Sequence, residues 1–516
     1  MDKKAARAEL ERRRGIAREG GGLEKIARHR QRGHIPARER VEHLVDPGTF
    51  METGMLGLFQ LSGTDKLLPA SKLHGFGEIN GRVVSIQSDD STVLAGTGAG
   101  SGRRYRTGAS GYGTFGQSCP FIRFAESGGV HLQSVQGSIG VLAVTMGIKA
   151  LAYPRLVPRL EGIMGNCFGD PSWNAVTSDF VVQVKPSTCM AVSGPRVLGV
   201  ALEERTTPED LGGWKVHAEV TGQADAFAED DIECAKLLRE FIGFMPQNYR
   251  EETPRLVTKD SKNRRLDELM SLIPDDPNQP YDMEQVIKAI VDDGNYFIIK
   301  PYFAKSLVVC FARLDGYTVG IIANQPLHNN SAIGPDECDK ATDMIVLCDS
   351  FNIPLVFLTD TPGYAGGKAV EEKRFITKNM HWLQALSLTT VPKFQLIVRK
   401  AYGLAIQNMC GPASGPDFNA AFTTADIRPM SPEAAVATVY AQRIASAPDP
   451  KAERQKVLQE LLEQSGPFQA AMGNVIDEVI EPCDARSFLI ACLENIRGQR
   501  GNFIGQHLMQ IWPTGF

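Results

Sequence analysis

Two stretches of this chain repeat each other at a separation of 234 residues, and a repeat of that length points to two like folding units. Val157-Pro158-Arg159-Leu160, with Gly165 and Gly169, lies over Val391-Pro392-Lys393-Phe394, with Arg399 and Gly403. Upstream, Pro120 to Gly129 lies over Pro354 to Gly363 at the same offset. Further back, Phe76, Ile79, Asn80, Gly81 and Val84 match Phe311, Leu314, Asp315, Gly316 and Val319 at 235. Three segments in one order, with one residue of slippage, indicate a duplicated domain. The length agrees, because 516 residues exceed what one hydrophobic core usually organises.

Each copy alternates short β-branched runs with glycine-rich turns and helical patterns, which predicts layered α/β domains. Residues 1–45 read as a helical N-terminal arm, 46–255 as the first domain, 256–290 as a polar, proline-bearing linker, and 291–516 as the second domain. A net charge of −5 offers no bulk attraction to nucleic acid. No run of about 18 apolar residues suggests a membrane span, and the start Met1-Asp2-Lys3-Lys4 lacks a signal core, so a cytoplasmic protein is expected. Ten cysteines are scattered without a Cys-x-x-Cys pair, which predicts reduced thiols and no metal site.

The repeated signature is chemical as well as structural. A buried-strand pattern runs into Ser127-Gly128-Gly129 in the first copy and into Tyr402-Gly403-Leu404-Ala405 in the second. Backbone N–H groups at such strand-to-helix turns converge, and paired donors stabilise an enolate oxyanion by about 3 to 4 kcal/mol each. The competing reading is that these glycines only permit tight turns.

Together with Ser178 to Val182, Gly194-Pro195, Leu211 to Gly213, Ile273 to Met283, Ala289 to Gly294, Ala323 to Pro326, Phe351 to Val356 and Arg399 to Gly403, these turns carry a specific likeness. The chain resembles the carboxyltransferase (β) subunit of biotin-dependent acyl-CoA carboxylases, of the propionyl-CoA carboxylase β type. The resemblance implies two tandem crotonase-like ββα superhelix domains. It also implies transfer of CO2 from carboxybiotin, held on a separate carrier protein, to the α-carbon of an acyl-CoA. By the same resemblance Gly128 and Gly129 hold the thioester oxygen, and Leu404 and Ala405 hold the biotin oxygen. Pro362, Gly363, Tyr364, Tyr402 and Gly403 are then expected near biotin, and His131, Gly169, Asp170 and Gln407 near the acyl group. A biotin carboxylase and carrier subunit are the implied partners, and a homo-oligomer, dimer or hexamer, is the implied assembly.

Several positions depart from the family pattern. Glu126-Ser127-Gly128-Gly129-Val130-His131 and Gly165-Asn166-Cys167-Phe168-Gly169-Asp170-Pro171 differ where the acyl group is expected, and Tyr364-Ala365-Gly366-Gly367-Lys368 differs on the biotin side. Pro171 has no N–H to donate. Arg103, Arg104 and Arg106 suit either CoA phosphates or a solvated loop. Two alternatives therefore stay open: a biotin-independent acyl-CoA decarboxylase or other enolate lyase of this fold, and a non-catalytic assembly subunit.

Overall fold

The computed structural model describes residues 2–60, 65–97, 118–129, 138, 155–185, 187–499, 503–505 and 507–512. The chain divides into two units, Met1–Glu251 joined by the residues from Gln510, and Glu252–Met509. The expected linker is therefore not a free connection. Leu266, Leu269, Met283, Val286, Ile287 and Ile290 are buried in the core of the second unit, and from Met283 to Ile290 the apolar residues recur every three or four positions, so one helical face can pack.

The first unit opens with α1 (Lys3–Arg18), α2 (Leu23–Gln31) and α3 (Ala37–Leu44). Its sheet holds β1 (Met51–Thr53), β2 (Lys72–Ile79), β3 (Arg82–Asp89), β4 (Phe121–Ser127), β5 (Arg159–Phe168), β6 (Phe180–Val184), β7 (Cys189–Ala191) and β8 (Ala226–Ala228). The strand order is β1-β2-β3-β4-β5-β6-β8, with β7 paired to β5. The first three strands run antiparallel, and β3 to β6 with β8 run parallel. Near-continuous burial along β4 fits a parallel strand covered on both faces.

The second unit repeats this plan. Its strands are β9 (Tyr296–Ile299), β10 (Leu307–Leu314), β11 (Tyr317–Asn324), β12 (Leu355–Thr361), β13 (Lys393–Tyr402), β14 (Phe418–Phe422), β15 (Asp426–Arg428) and β16 (Glu478–Ile480). They are ordered β9-β10-β11-β12-β13-β14-β16, with β15 paired to β13. The correspondence extends to register. Phe121 faces Arg159 as Leu355 faces Lys393, and the ladder slips between Ala125 and Ser127 as it does between Thr359 and Thr361.

A buried carboxylate sits at each slip. Glu126 takes a hydrogen bond from Arg40 of α3 at 2.7 Å, and Arg40 also meets Asp231 at 2.9 Å. Asp231 belongs to α5 (Asp231–Ile242), after α4 (Asp170–Val176), and also receives the Ile35 N–H. At the equivalent position Asp360 takes Arg399 at 2.9 Å. Arg399 in turn donates to the carbonyls of Asp276 and Gln279, which pins the segment before α6 (Met283–Ile290) to the strand end. All ten cysteines are buried, and none forms a disulfide. No helix among the described residues is long and apolar enough to cross a membrane.

Arg40 is fully buried between two carboxylates, so Arg40→Leu leaves both without their guanidinium and Asp231 with only His34 and the Ile35 N–H among the described residues. The expected loss is about 3 to 5 kcal/mol. It should be read as a lower urea midpoint, with limited proteolysis showing earlier release of the N-terminal arm.

Candidate active site

The turns that follow β5 and β13 share a positive-φ glycine, although the helix after it starts at Asp170 in the first and one position later, at Ala405, in the second. Gly169 and Gly403 have φ of +71° and +64°, a left-handed conformation that glycine adopts without strain. Each glycine N–H is committed to a neighbouring strand: Gly169 donates to Ala191 at 3.2 Å and Gly403 to Arg428 at 2.9 Å. A short helix then begins, α4 in the first unit and, beyond α7 (Pro335–Ser350) and α8 (Phe375–Leu388), α9 (Ala405–Asn408) in the second. Neither Leu404 nor Ala405 donates its N–H to any described residue. Two adjacent free donors beside a strand end are suited to an oxyanion.

This geometry revises the first-copy assignment. The counterpart of Leu404 and Ala405 is Asp170 and Pro171, not Gly128 and Gly129. Gly128 donates its N–H to the Ala95 carbonyl at 3.0 Å, and Gly129 directs its own to Ser127 Oγ at 3.2 Å. Their second-copy partners are Pro362, without an N–H, and Gly363, which donates to Thr361 Oγ1 at 3.2 Å. These residues shape the turn from beneath. A Cβ on Gly129 would stand 2.8 Å from the Phe168 carbonyl, and one on Gly363 would stand 3.9 Å from that of Tyr402. The end of β4 or β12 therefore abuts the last residue of β5 or β13.

The remaining expected residues divide by what their polar atoms already do. Tyr364 donates its hydroxyl to Asn408 at 2.7 Å and accepts from Asn379 at 3.3 Å, while Asn408 donates to Asn379 at 2.8 Å. This ring of three ties the segment after Gly363 to α8 and α9, so Tyr364 positions the turn rather than offering a free hydroxyl. Tyr402 donates to Asp426 at 2.6 Å, and Gln407 Oε1 accepts the Ala413 N–H at 2.9 Å. Asp170 is half-exposed, and no described residue bonds its carboxylate. His131, Arg103, Arg104 and Arg106 lie outside the described residues. No cluster of metal ligands occurs among the described residues.

Beneath the first-unit turn lies a charge network that sequence reading missed. Asp89 binds Lys72 at 2.6 Å and Arg123 at 3.0 Å, and Arg123 stands 3.6 Å from Glu161. All four side chains are buried. The second unit carries Leu307, Asn324, Phe357 and Gln395 at these registers, so only the first unit is charged here. At 3.6 Å Arg123 is too distant to hydrogen-bond the carboxyl. Burial therefore dominates and pushes Glu161 from 4.5 up to about 8. The signal was present in sequence as charged residues in strand patterns otherwise apolar.

The match to the Carboxyl transferase domain family covers residues 28–507. The chain is 35% identical to the methylmalonyl-CoA decarboxylase subunit alpha of Propionigenium modestum, covering 93% of this chain and 94% of that one. It is 34% identical to the propionyl-CoA carboxylase carboxyltransferase subunit of Haloferax mediterranei, covering 95% and 96%. The solved structure of transcarboxylase 12S, with methylmalonyl-coenzyme A and methylmalonic acid bound, aligns with a TM-score of 0.88 at 30% identity, covering 98% of this chain and 99% of that one. The two mixed sheets accordingly form the crotonase-like carboxyltransferase fold.

A carboxyl whose folded pKa is raised stabilises the fold fully below its unfolded value and loses that contribution as pH climbs through the folded one. The loss should therefore run from about 4.5 to beyond 8 for Glu161. Glu161→Gln, which keeps the neutral shape, is expected to flatten this decline and raise the melting temperature at pH 9 by at least about 2 °C, measured by calorimetry. The repeat, the paired turns and the match along nearly the whole length lead to one conclusion: this chain belongs to the carboxyl transferase domain family.

Proposed function

We propose that this subunit moves a carboxyl group between biotin, borne by a separate carrier protein, and the α-carbon of an acyl-CoA through a thioester enolate. The carrying observation is the Gly403–Ala405 turn, with two main-chain donors that no described residue occupies. A urea oxygen fits this donor set, since the turn presents N–H groups without a carboxylate and the polar atoms of Tyr402 and Tyr364 are already engaged. When bound, carboxybiotin supplies the activated carboxyl group. The chain's own part is to hold that oxygen through Leu404 and Ala405, and to hold the thioester at the first-unit turn around Gly169 and Asp170. Positioning and electrostatic stabilisation are then the main catalytic contributions.

The same turns serve either direction, because carboxylation and decarboxylation share the enolate. Relatives named as a decarboxylase subunit and as a carboxylase subunit both align along nearly the whole chain. A biotin carboxylase with its carrier completes the proposed assembly, and a homo-oligomer, dimer or hexamer, is the proposed state of this subunit. Methylmalonyl-CoA labelled in its free carboxyl tests the reading when mixed with the purified chain and free biotin. Biotin-dependent loss of label is expected. Loss without biotin would favour the biotin-independent decarboxylase, and no loss across a panel of carboxylated acyl-CoAs would sink the proposal.

Ala405 begins α9, where proline is tolerated because no helical bond is lost. Ala405→Pro therefore removes one donor, and because Leu404 before it holds αR angles that a following proline disfavours, circular dichroism and a melting curve are to show that the variant keeps its fold. Turnover should fall by about 10² to 10³ while acyl-CoA affinity, measured by calorimetry, is retained.

A further inference from the structure

The turns after β5 and β13 are built alike but armed differently. Once each glycine N–H is spent on the adjacent strand, the next two positions remain to face a ligand. In the second unit they are Leu404 and Ala405, which give two donors. In the first they are Asp170 and Pro171, which give a single N–H and a carboxylate without a hydrogen-bond or ion-pair partner among the described residues. The flanking side chains differ as well. Trp173 is 36% exposed where the second unit has Gln407, already bonded to Ala413. Phe168 precedes the glycine where the second unit has Tyr402.

One donor fewer leaves negative charge on a thioester oxygen less stabilised, by about 10² to 10³ in rate for a typical donor. The Asp170 carboxylate opposes that charge further. A substrate compensates when conjugation carries the carbanion's charge away from the oxygen, and an exposed indole offers a planar group a stacking face. Resting on the carboxyltransferase reading, we infer that the first unit selects acyl-CoAs whose carbanion is delocalised into an aryl or alkenyl group over saturated short-chain acyl-CoAs. Asp170 and Pro171 set that preference, and Trp173 packs against the conjugated group.

The test uses the full chain with phenylacetyl-CoA and propionyl-CoA. By calorimetry the wild type should bind phenylacetyl-CoA more tightly, and Trp173→Ala should weaken that binding about 2- to 10-fold more than it weakens propionyl-CoA binding. Pro171→Ala restores a main-chain donor, so the carbonyl resonance of bound propionyl-CoA, labelled with 13C at that carbon, should move downfield. Carboxyl transfer from free carboxybiotin to propionyl-CoA should then rise by about 10-fold or more, and less for phenylacetyl-CoA. Tighter propionyl-CoA binding in the wild type, equal losses in Trp173→Ala, or an unmoved resonance in folded Pro171→Ala would overturn this inference alone. If neither ester binds the folded wild type, the carboxyltransferase reading falls and takes this inference with it.

Discussion

The strand-end turn in each unit rests on one buried carboxylate at the end of the fourth or twelfth strand, paired with a guanidinium. A carboxylate left unpaired in a region excluded from water is costly to bury. With the guanidinium, the strand end is held and segments that precede the sheet are drawn onto it: residues 34–40 through Arg40 and Asp231, and residues 276–279 through Arg399. The source of the guanidinium follows from a single side chain. The second unit places Arg399 on the neighbouring strand, where the first has Gly165, and the side chain of Glu126 fills that space, as a Cβ on Gly165 would lie 2.5 Å from Glu126 Cγ. The cation must then come from elsewhere, and the arm supplies it.

Much of this was legible in the sequence. The 234-residue offset gave the two units, and the structure repeats it strand by strand down to the register slip before Ser127 and Thr361. The site was read less well because Ser127-Gly128-Gly129 looks like a donor-rich turn, and sequence alone does not reveal that Ala95 occupies the Gly128 N–H. The offset itself held the remedy, since Leu404 and Ala405 map onto Asp170 and Pro171. Arg40 was beyond reach for a different reason. A contact from residue 40 to residues 126 and 231 has no local pattern to announce it. The proline-bearing stretch before residue 290 misled as a linker because its apolar positions are sparse, although Leu266, Leu269 and Met283 are enough to dock it.

Duplication left the two sheets with equal topology and unequal charge. Where the second unit uses Asn324 Oδ1 to accept the Asp360 N–H at 3.0 Å, the first uses Asp89 to receive Glu126 N–H at 3.4 Å. An anion there demands counter-cations, and Lys72 and Arg123 supply them, each costly to desolvate. The neutral second-unit face is the simpler solution to the same bonding problem. The charged face of the first is therefore a departure specific to one copy, beneath the turn that also differs in Asp170 and Pro171.

The burial of all ten cysteines has a practical consequence. Burial also raises the thiol pKa of Cys119 and Cys189 to about 11, and of Cys410 and Cys492 to about 12, so at neutral pH the nucleophilic thiolate is scarce as well as shielded. A cysteine introduced on the surface would be alkylated selectively in the native chain, and fluorophores or spin labels could be attached to either unit without first removing the natural thiols.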